Sequence, residues 1–425
     1  MLSKRWALLK EEFGSYSKVE RLFILAAMIC GFLICAEYST IRPAANSLFL
    51  HTFSVKVLPY AWIAMVPLNF LLVTLYSALL PKWGPRKVFF TTTLLIAGGN
   101  ITFGILIPLF PKLSFALYIW KEIYILLMFQ QLWSLIHATV NLKRARYLYG
   151  VIFGVGGLGS VFGSTLPTFF AVSIGSESLL FLSLPIYALL LFFYLKAARY
   201  CDADRLSNSL EPPTRGGLSH GIKLIASSRF LIFILLLVVF MQLTSTIVDF
   251  QFSDYLQSHV PEKDLRTAYA GKIMGLIHTL TVALQFMGSY FLIRFMGLRN
   301  THFSIPIILG ACALSFAFVP AFALLTLSFV AVKTLDFSLF GVLKEMLYIP
   351  LSTDEKFRAK AVIDIFAFRS SKAVASLGIL GLQLILPNIH PVLTWILVVL
   401  TFLWCISIAY GMRHYQTLMQ VEARS

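Results

Sequence analysis

RFLIFILLLVVFMQLTSTIVDFQF, residues Arg229 to Phe252, decides the architecture of this chain. From Phe230 to Met241 no side chain carries a charge, and the apolar character then continues past Asp249. About 20 such residues cross the hydrocarbon of a bilayer as a helix that satisfies its own backbone hydrogen bonds. Thr244, Ser245, Thr246 and Gln251 make the second half unusually polar, and Asp249 sits well inside it. A charge at that depth costs about 2.5–3.5 kcal/mol on insertion scales, so it must be wet, paired or bound. The stretch predicts a membrane-spanning helix with one face on a polar path.

Outward from this stretch the pattern repeats. Apolar runs predict spans near 22–50, 57–80, 88–110, 115–140, 146–174, 178–197, 229–256, 268–295, 302–319, 321–349, 360–387 and 391–412. The composition agrees: of 425 residues 58% are hydrophobic and only 13% charged, which excludes the soluble globular classes. The spans lack the alternation of a membrane β-barrel. The expected fold is all-α and polytopic, with about 12 transmembrane helices in two six-helix bundles. The polar segment 200–228, with Pro212, Pro213, Gly216 and Gly217, divides an N-terminal bundle (1–199) from a C-terminal one (229–425).

The net charge of +16 does not signal nucleic acid, because the bases fall in short loops between spans. One side collects Lys82, Arg86, Lys87, Lys143, Arg144, Arg146, Arg294, Arg299, Lys356, Arg358 and Lys360; the other has Lys56, Lys112, Lys263 and Arg266. The asymmetry places both termini in the cytoplasm. The polar N-terminal stretch before Leu22 lacks the pattern of a signal peptide. Four of the five cysteines lie in apolar runs without ligand spacing and are expected to pack. No HExxH, GxSxG or phosphate-loop pattern occurs, so no enzyme, metal site or cofactor is expected.

The halves look related. Gly84-Pro85-Arg86 and Gly297-Leu298-Arg299 are separated by the same offset as Lys143 and Lys356. Glu37 and Asp249 fall one position short of that offset, and Glu122 and Asp336 one position beyond it. Six spans repeated in parallel order resemble the plan of the major facilitator architecture, whose site lies between the halves near the midplane.

The charged residues of the spans are the candidate binding groups: Glu122, Asp249, Arg369, Lys372 and Arg42. Lys121 and Glu122 point about 100° apart on a helix, which predicts that they do not pair with each other. Lys333 and Asp336, three apart, are placed to neutralise each other. Arg369 and Lys372 are also three apart and share a face, so they require carboxylates from elsewhere or an anionic ligand. Asp364 can pair with Lys360 at i,i+4. Arg42-Pro43 lies near the outer end of span 1. Glycines 150, 154, 156, 157, 159 and 163 in span 5 include GxxxG spacing and predict a close helix crossing. His137 and His278 are read as packed, hydrogen-bonded residues.

At these residues the chain resembles the bacterial and plastid ATP/ADP translocase family. Lys344-Glu345-Met346-Leu347-Tyr348-Ile349-Pro350-Leu351, followed by Lys360-Ala361-Val362-Ile363-Asp364, is similar to that family's KEMAYIPL…KAAID signature. Lys372 falls at the Lys of its GKSGG stretch, Asp249 at its span-7 Glu, Gly271-Lys272 at the family spacing, and Glu122 at its span Glu. The family's LRDTKD is Ile41-Arg42-Pro43-Ala44-Ala45-Asn46 here, so its Lys is Ala45. The resemblance implies an ADP,ATP carrier-type secondary transporter that exchanges nucleotides or a related anionic metabolite by alternating access. It would act as a monomer in a bacterial inner membrane, with lipid as its other partner. The alternative is a proton-coupled symporter of a small non-nucleotide metabolite, with Glu37, Glu122 or Asp249 carrying the proton.

Overall fold

A computed structural model describes residues 17–139, 142–200, 217–351, 359–360, 362–363 and 368–422. Among them there is no strand. The helices are α1 (Lys18–Thr52), α2 (Leu58–Leu106), α3 (Leu113–Thr139), α4 (Leu142–Ile174), α5 (Ser183–Arg199), α6 (Gly217–Ser227), α7 (Arg229–His259), α8 (Lys263–Ala283), α9 (Ser289–Phe318), α10 (Phe322–Leu335), α11 (Gly341–Leu347), α12 (Phe368–Ile385) and α13 (His390–Glu422). The predicted spans fall largely on these helices where their residues are described, and run past the helix ends by several residues at places such as 107–110 and 386–387. Nine helical segments among the described residues are long and apolar enough to cross a membrane.

Predicted spans 57–80 and 88–110 are fused into one helical element, and the end of span 268–295 runs on into 302–319. α2 runs through Gly84 (φ 71°, ψ 161°) and α9 through Gly297 (φ 76°, ψ 161°). Both lie at positive φ, which costs a glycine no Cβ clash, and each turns the chain where one span ends and the next begins. Matching geometry at equivalent positions of the two halves supports an internal repeat. One-turn π segments, Leu284–Gly288 and Asp336–Phe340, continue α8 and α10.

The chain folds as two compact units, Met1–Ala45 with Asn69–Pro212, and Asn46–Leu68 with Pro213–Ser425. In the first, α1 crosses α4 at very short range. A Cβ on Gly159 would overlap the Phe32 carbonyl oxygen, and one on Gly163 would overlap that of Ala36. Only hydrogen fits there, so the predicted GxxxG contact is present. Phe89 stacks on Tyr194 (centroids 3.4 Å apart), and Asn100 donates to Ser183 (3.2 Å) and Tyr187 (3.1 Å).

In the second unit α7 is the central helix, packed against α10, α12 and α13. Phe252 stacks on Phe329 (4.0 Å), and Gln251 donates to Thr394 (2.9 Å) and to the His390 carbonyl (3.2 Å). Gln257 ties α7 to the segment around the end of α1, donating to the Leu50 and Phe53 carbonyls and accepting from the Val55 amide. Arg266, 2% exposed, donates to the carbonyls of Val260, Pro261 and Ser47. The first two of these bonds serve carbonyls at the end of α7 and just beyond it, where no intrahelical partner is available.

The crossing of α1 and α4 yields a direct expectation. Gly163→Val forces a side chain into the Ala36 backbone and lowers stability by about 1–3 kcal/mol, the usual range for overpacking. Gly98→Ala, whose Cβ meets nothing within 4 Å on an exposed helical position, raises it by up to about 1 kcal/mol. Thermal unfolding of the detergent-solubilised variants, followed by size-exclusion fluorescence, measures both.

Candidate functional site

The first unit builds a polar cluster from α1 and α3. Lys121 is buried within α3, with its side chain 1% exposed. Its ammonium lies 2.7 Å from Glu122 Oε1 and 4.1 Å from the centroid of the Tyr118 ring. Tyr38 donates to the same Glu122 oxygen at 3.0 Å, and the Arg42 guanidinium lies 5.8 Å from the Tyr38 ring. Two predicted site residues, Glu122 and Arg42, thus share one neighbourhood. The expectation that Lys121 and Glu122 do not pair is corrected. Backbone direction separates neighbours by about 100°, but a four-carbon stem bends, and an ammonium buried in an apolar bundle takes the nearest carboxylate.

Beside this cluster lies a different kind of site. Glu37 on α1 is 0% exposed. Its Oε1 accepts from Tyr124 (2.8 Å) and from Tyr187, and its Oε2 has no hydrogen-bond partner among the described residues. Among the described residues no cation pairs with it.

The second unit holds a counterpart built differently. Lys333, on α10 and close to the repeat-related position of Lys121, is also buried. It donates to Asp249 of α7 at 2.7 Å and to Ser245 at 2.9 Å, with the Phe329 ring 5.8 Å away. The direct bond of Lys333 thus runs across helices to Asp249, while Asp336 stays within its electrostatic reach. Asp336 instead accepts from Gln242 at 3.5 Å. The polar stretch of α7 singled out in the sequence is the stretch that receives Lys333.

The motif that carried the family resemblance closes on itself. Lys360 binds Glu345 at 2.6 Å and lies 5.6 Å from the Tyr348 ring. Asp364, expected to pair with Lys360, lies outside the described residues. Lys372 is half-buried on α12, its ammonium 4.8 Å from the Trp62 ring. Arg369 lies on the first turn of α12, but its side chain is outside the described set, as is that of His137. Lys272 is exposed on α8 and has no ion pair among the described residues. His278 stacks on Phe337 at 6.3 Å.

Lys121 and Lys333 were visible in the sequence, yet their importance was not, because only the fold reveals how little of either side chain is exposed. Tyr38, Tyr118, Tyr124 and Tyr187 were missed altogether. Their one sequence signal is tyrosine beside or one turn from a span carboxylate, as with Tyr38 next to Glu37 and Tyr118 one turn before Glu122. Chemically, a lysine held by a carboxylate oxygen and an aromatic face is exchangeable, since an incoming anion can take the carboxylate's place.

Residues 100–415 match the model of the TLC ATP/ADP transporter family. Among solved structures the chain is similar to a D323A mutant of the nucleoside transporter NupG, with TM-score 0.67 and 13% identity over 92% of this chain and 99% of that one. A bacterial homologue of the iron transporter ferroportin gives 0.61 and 14% over 93% and 99%. The xylose transporter XylE from E. coli gives 0.61 and 12% over 92% and 97%. At such identities these likenesses establish the fold, a major facilitator-like helical membrane protein.

The Lys333–Asp249 bond makes a double-mutant cycle informative. Lys333→Met or Asp249→Leu alone strands a charge inside the unit and lowers stability by about 3–5 kcal/mol. The double variant combined with Asp336→Asn loses much less, because removing the whole cluster leaves no charge without a counter-ion. Thermal melts of the three variants test this, and additive losses would show that the two charges act independently.

Proposed function

The chain belongs to the TLC ATP/ADP transporter family, and from that premise we propose that it is a secondary transporter that exchanges nucleotides by alternating access. The family is one of transporters, which supports this reading. The proposed arrangement has two six-helix halves, 1–199 and 229–425, both termini cytoplasmic, and a monomer working in a bacterial inner membrane. The observation that carries the reading is the pair of buried lysines, Lys121 and Lys333, each held by a carboxylate at 2.7 Å.

In the empty protein Glu122 and Asp249 neutralise these cations. An arriving polyphosphate offers oxygens of higher charge density and displaces them, with Lys372, Arg369 and Lys272 adding attraction and Arg42 standing beside Tyr38. The aromatic rings against Lys121 and Lys333 suit both states, since a ring face stabilises a cation without neutralising it. Exchange follows when the carboxylate-locked empty form reorients slowly and the anion-loaded form reorients quickly. Differential stabilisation of that kind is the only means by which a ligand shifts such an equilibrium.

A second reading draws on Glu37. A fully buried carboxyl group with two tyrosine donors, an open Oε2 and no cationic partner among the described residues is a site that can carry a proton. This favours the proton-coupled alternative for a non-nucleotide metabolite.

Proteoliposomes separate the two. Preloading with unlabelled ADP is expected to drive uptake of labelled ATP or ADP irrespective of the pH gradient, and Lys121→Gln, Lys372→Ala and Arg369→Ala each reduce it at least about tenfold, the effect of one lost charge-assisted bond. Uptake that ignores nucleotides, follows an imposed pH gradient and disappears in Glu37→Gln would replace the first reading with the second.

A further inference from the structure

Where α2 turns at Gly84, the first unit carries a groove of about 530 Å³ lined by Trp83, Arg86, Lys87, Phe90, Thr91 and Leu195. Its size lies within the usual range for small-molecule sites. Its chemistry is divided. Trp83 (46% exposed) and Phe90 (43% exposed) present large apolar faces, and Leu195 adds to them from α5. Arg86 and Lys87 are exposed beside them. One guanidinium nitrogen of Arg86 is already engaged, donating to the Ala198 carbonyl at 2.7 Å and fixing the side chain across the groove between α2 and α5. Lys87 makes no ion pair among the described residues. The transport cluster around Lys121 uses none of these residues.

We propose that this groove binds the headgroup of an anionic phospholipid. The phosphate would sit between Lys87 and the free edge of Arg86, with the upper acyl chain laid along Phe90 and Leu195 and Trp83 at the headgroup level. Two arguments favour a lipid over a soluble phosphate. Charge and apolar surface occur side by side at the end of a span, which matches a molecule that is anionic at one end and hydrocarbon at the other. The site also lies among the bases that the positive-inside pattern assigns to the cytoplasmic leaflet, where anionic lipids concentrate. Trp83 is of the residue type that settles at that interface.

The internal repeat supplies a comparison within the same molecule. Arg299 and Phe303 occupy the positions in the second half that correspond to Arg86 and Phe90, and Arg299 lies 5.9 Å from the Phe303 ring. The counterpart of Lys87 is Asn300, and that of Trp83 is Met296. The second half keeps the arginine and the phenylalanine but lacks the second cation and the indole, so a single site is expected.

The test uses the purified full-length chain without nucleotide, so its outcome is independent of what is transported. Native mass spectrometry and thermal stability are recorded with phosphatidylglycerol, phosphatidylcholine and inorganic phosphate, each alone. Phosphatidylglycerol is expected to remain bound at one per chain and to raise the melting temperature, and the other two are not. Lys87→Gln weakens retention by about fivefold, the factor expected for one basic side chain at an anionic surface. Trp83→Leu weakens it too, whereas Lys223→Gln, at an exposed lysine on α6, does not. Equal loss in Lys87→Gln and Lys223→Gln would reduce the effect to diffuse charge and overturn the proposal. Protection by inorganic phosphate as strong as that by phosphatidylglycerol would overturn it in favour of a soluble-anion site.

Discussion

Hydrocarbon offers a buried ammonium neither water nor counter-ion, and the polar interior of both units is organised around that fact. Lys121 and Lys333 each find a carboxylate oxygen at 2.7 Å and an aromatic ring. The helices that supply those partners are thereby committed to their positions: α1 brings Tyr38 to Glu122, and α7 brings Asp249 and Ser245 to Lys333. A buried ion pair of this kind adds little net stability, because the attraction mostly offsets desolvation. Its value lies in specificity, since each charge fixes which helix faces which.

The two units solve the same problem with different residues. Lys121 takes its carboxylate from the adjacent position on its own helix, and Lys333 takes one from across the bundle. The position on α1 that roughly matches Asp249 is Glu37, which faces tyrosines rather than a lysine. The repeat thus persists in backbone geometry, as the two kinks at Gly84 and Gly297 show, while the polar chemistry of the halves has diverged.

Much of the fold was legible because membrane insertion writes itself into composition. Long apolar runs, basic short loops and Gly159-x-x-x-Gly163 each have one dominant physical meaning, and the predicted spans and crossing that fall on described residues are helices and a close contact. The polar pairings were less legible. Adjacency argued against Lys121–Glu122, and three-residue spacing argued for Lys333–Asp336. Those rules describe an isolated helix in water, where local neighbours compete only with solvent. In a packed bundle a residue on another helix competes as well, and Lys333 accordingly takes Asp249.

Residue order alone established that this chain crosses a membrane many times as helices, that its halves echo one another, and which charged residues must be accommodated inside. Transfer of backbone and charge into hydrocarbon depends on residue type, so no knowledge of packing was needed for those conclusions. Which partner each charge took, and that four tyrosines would join them, was settled only by the folded arrangement. A pairing requires two side chains to be brought within hydrogen-bonding reach and shut away from water, and that follows from how helices pack, not from their order along the chain.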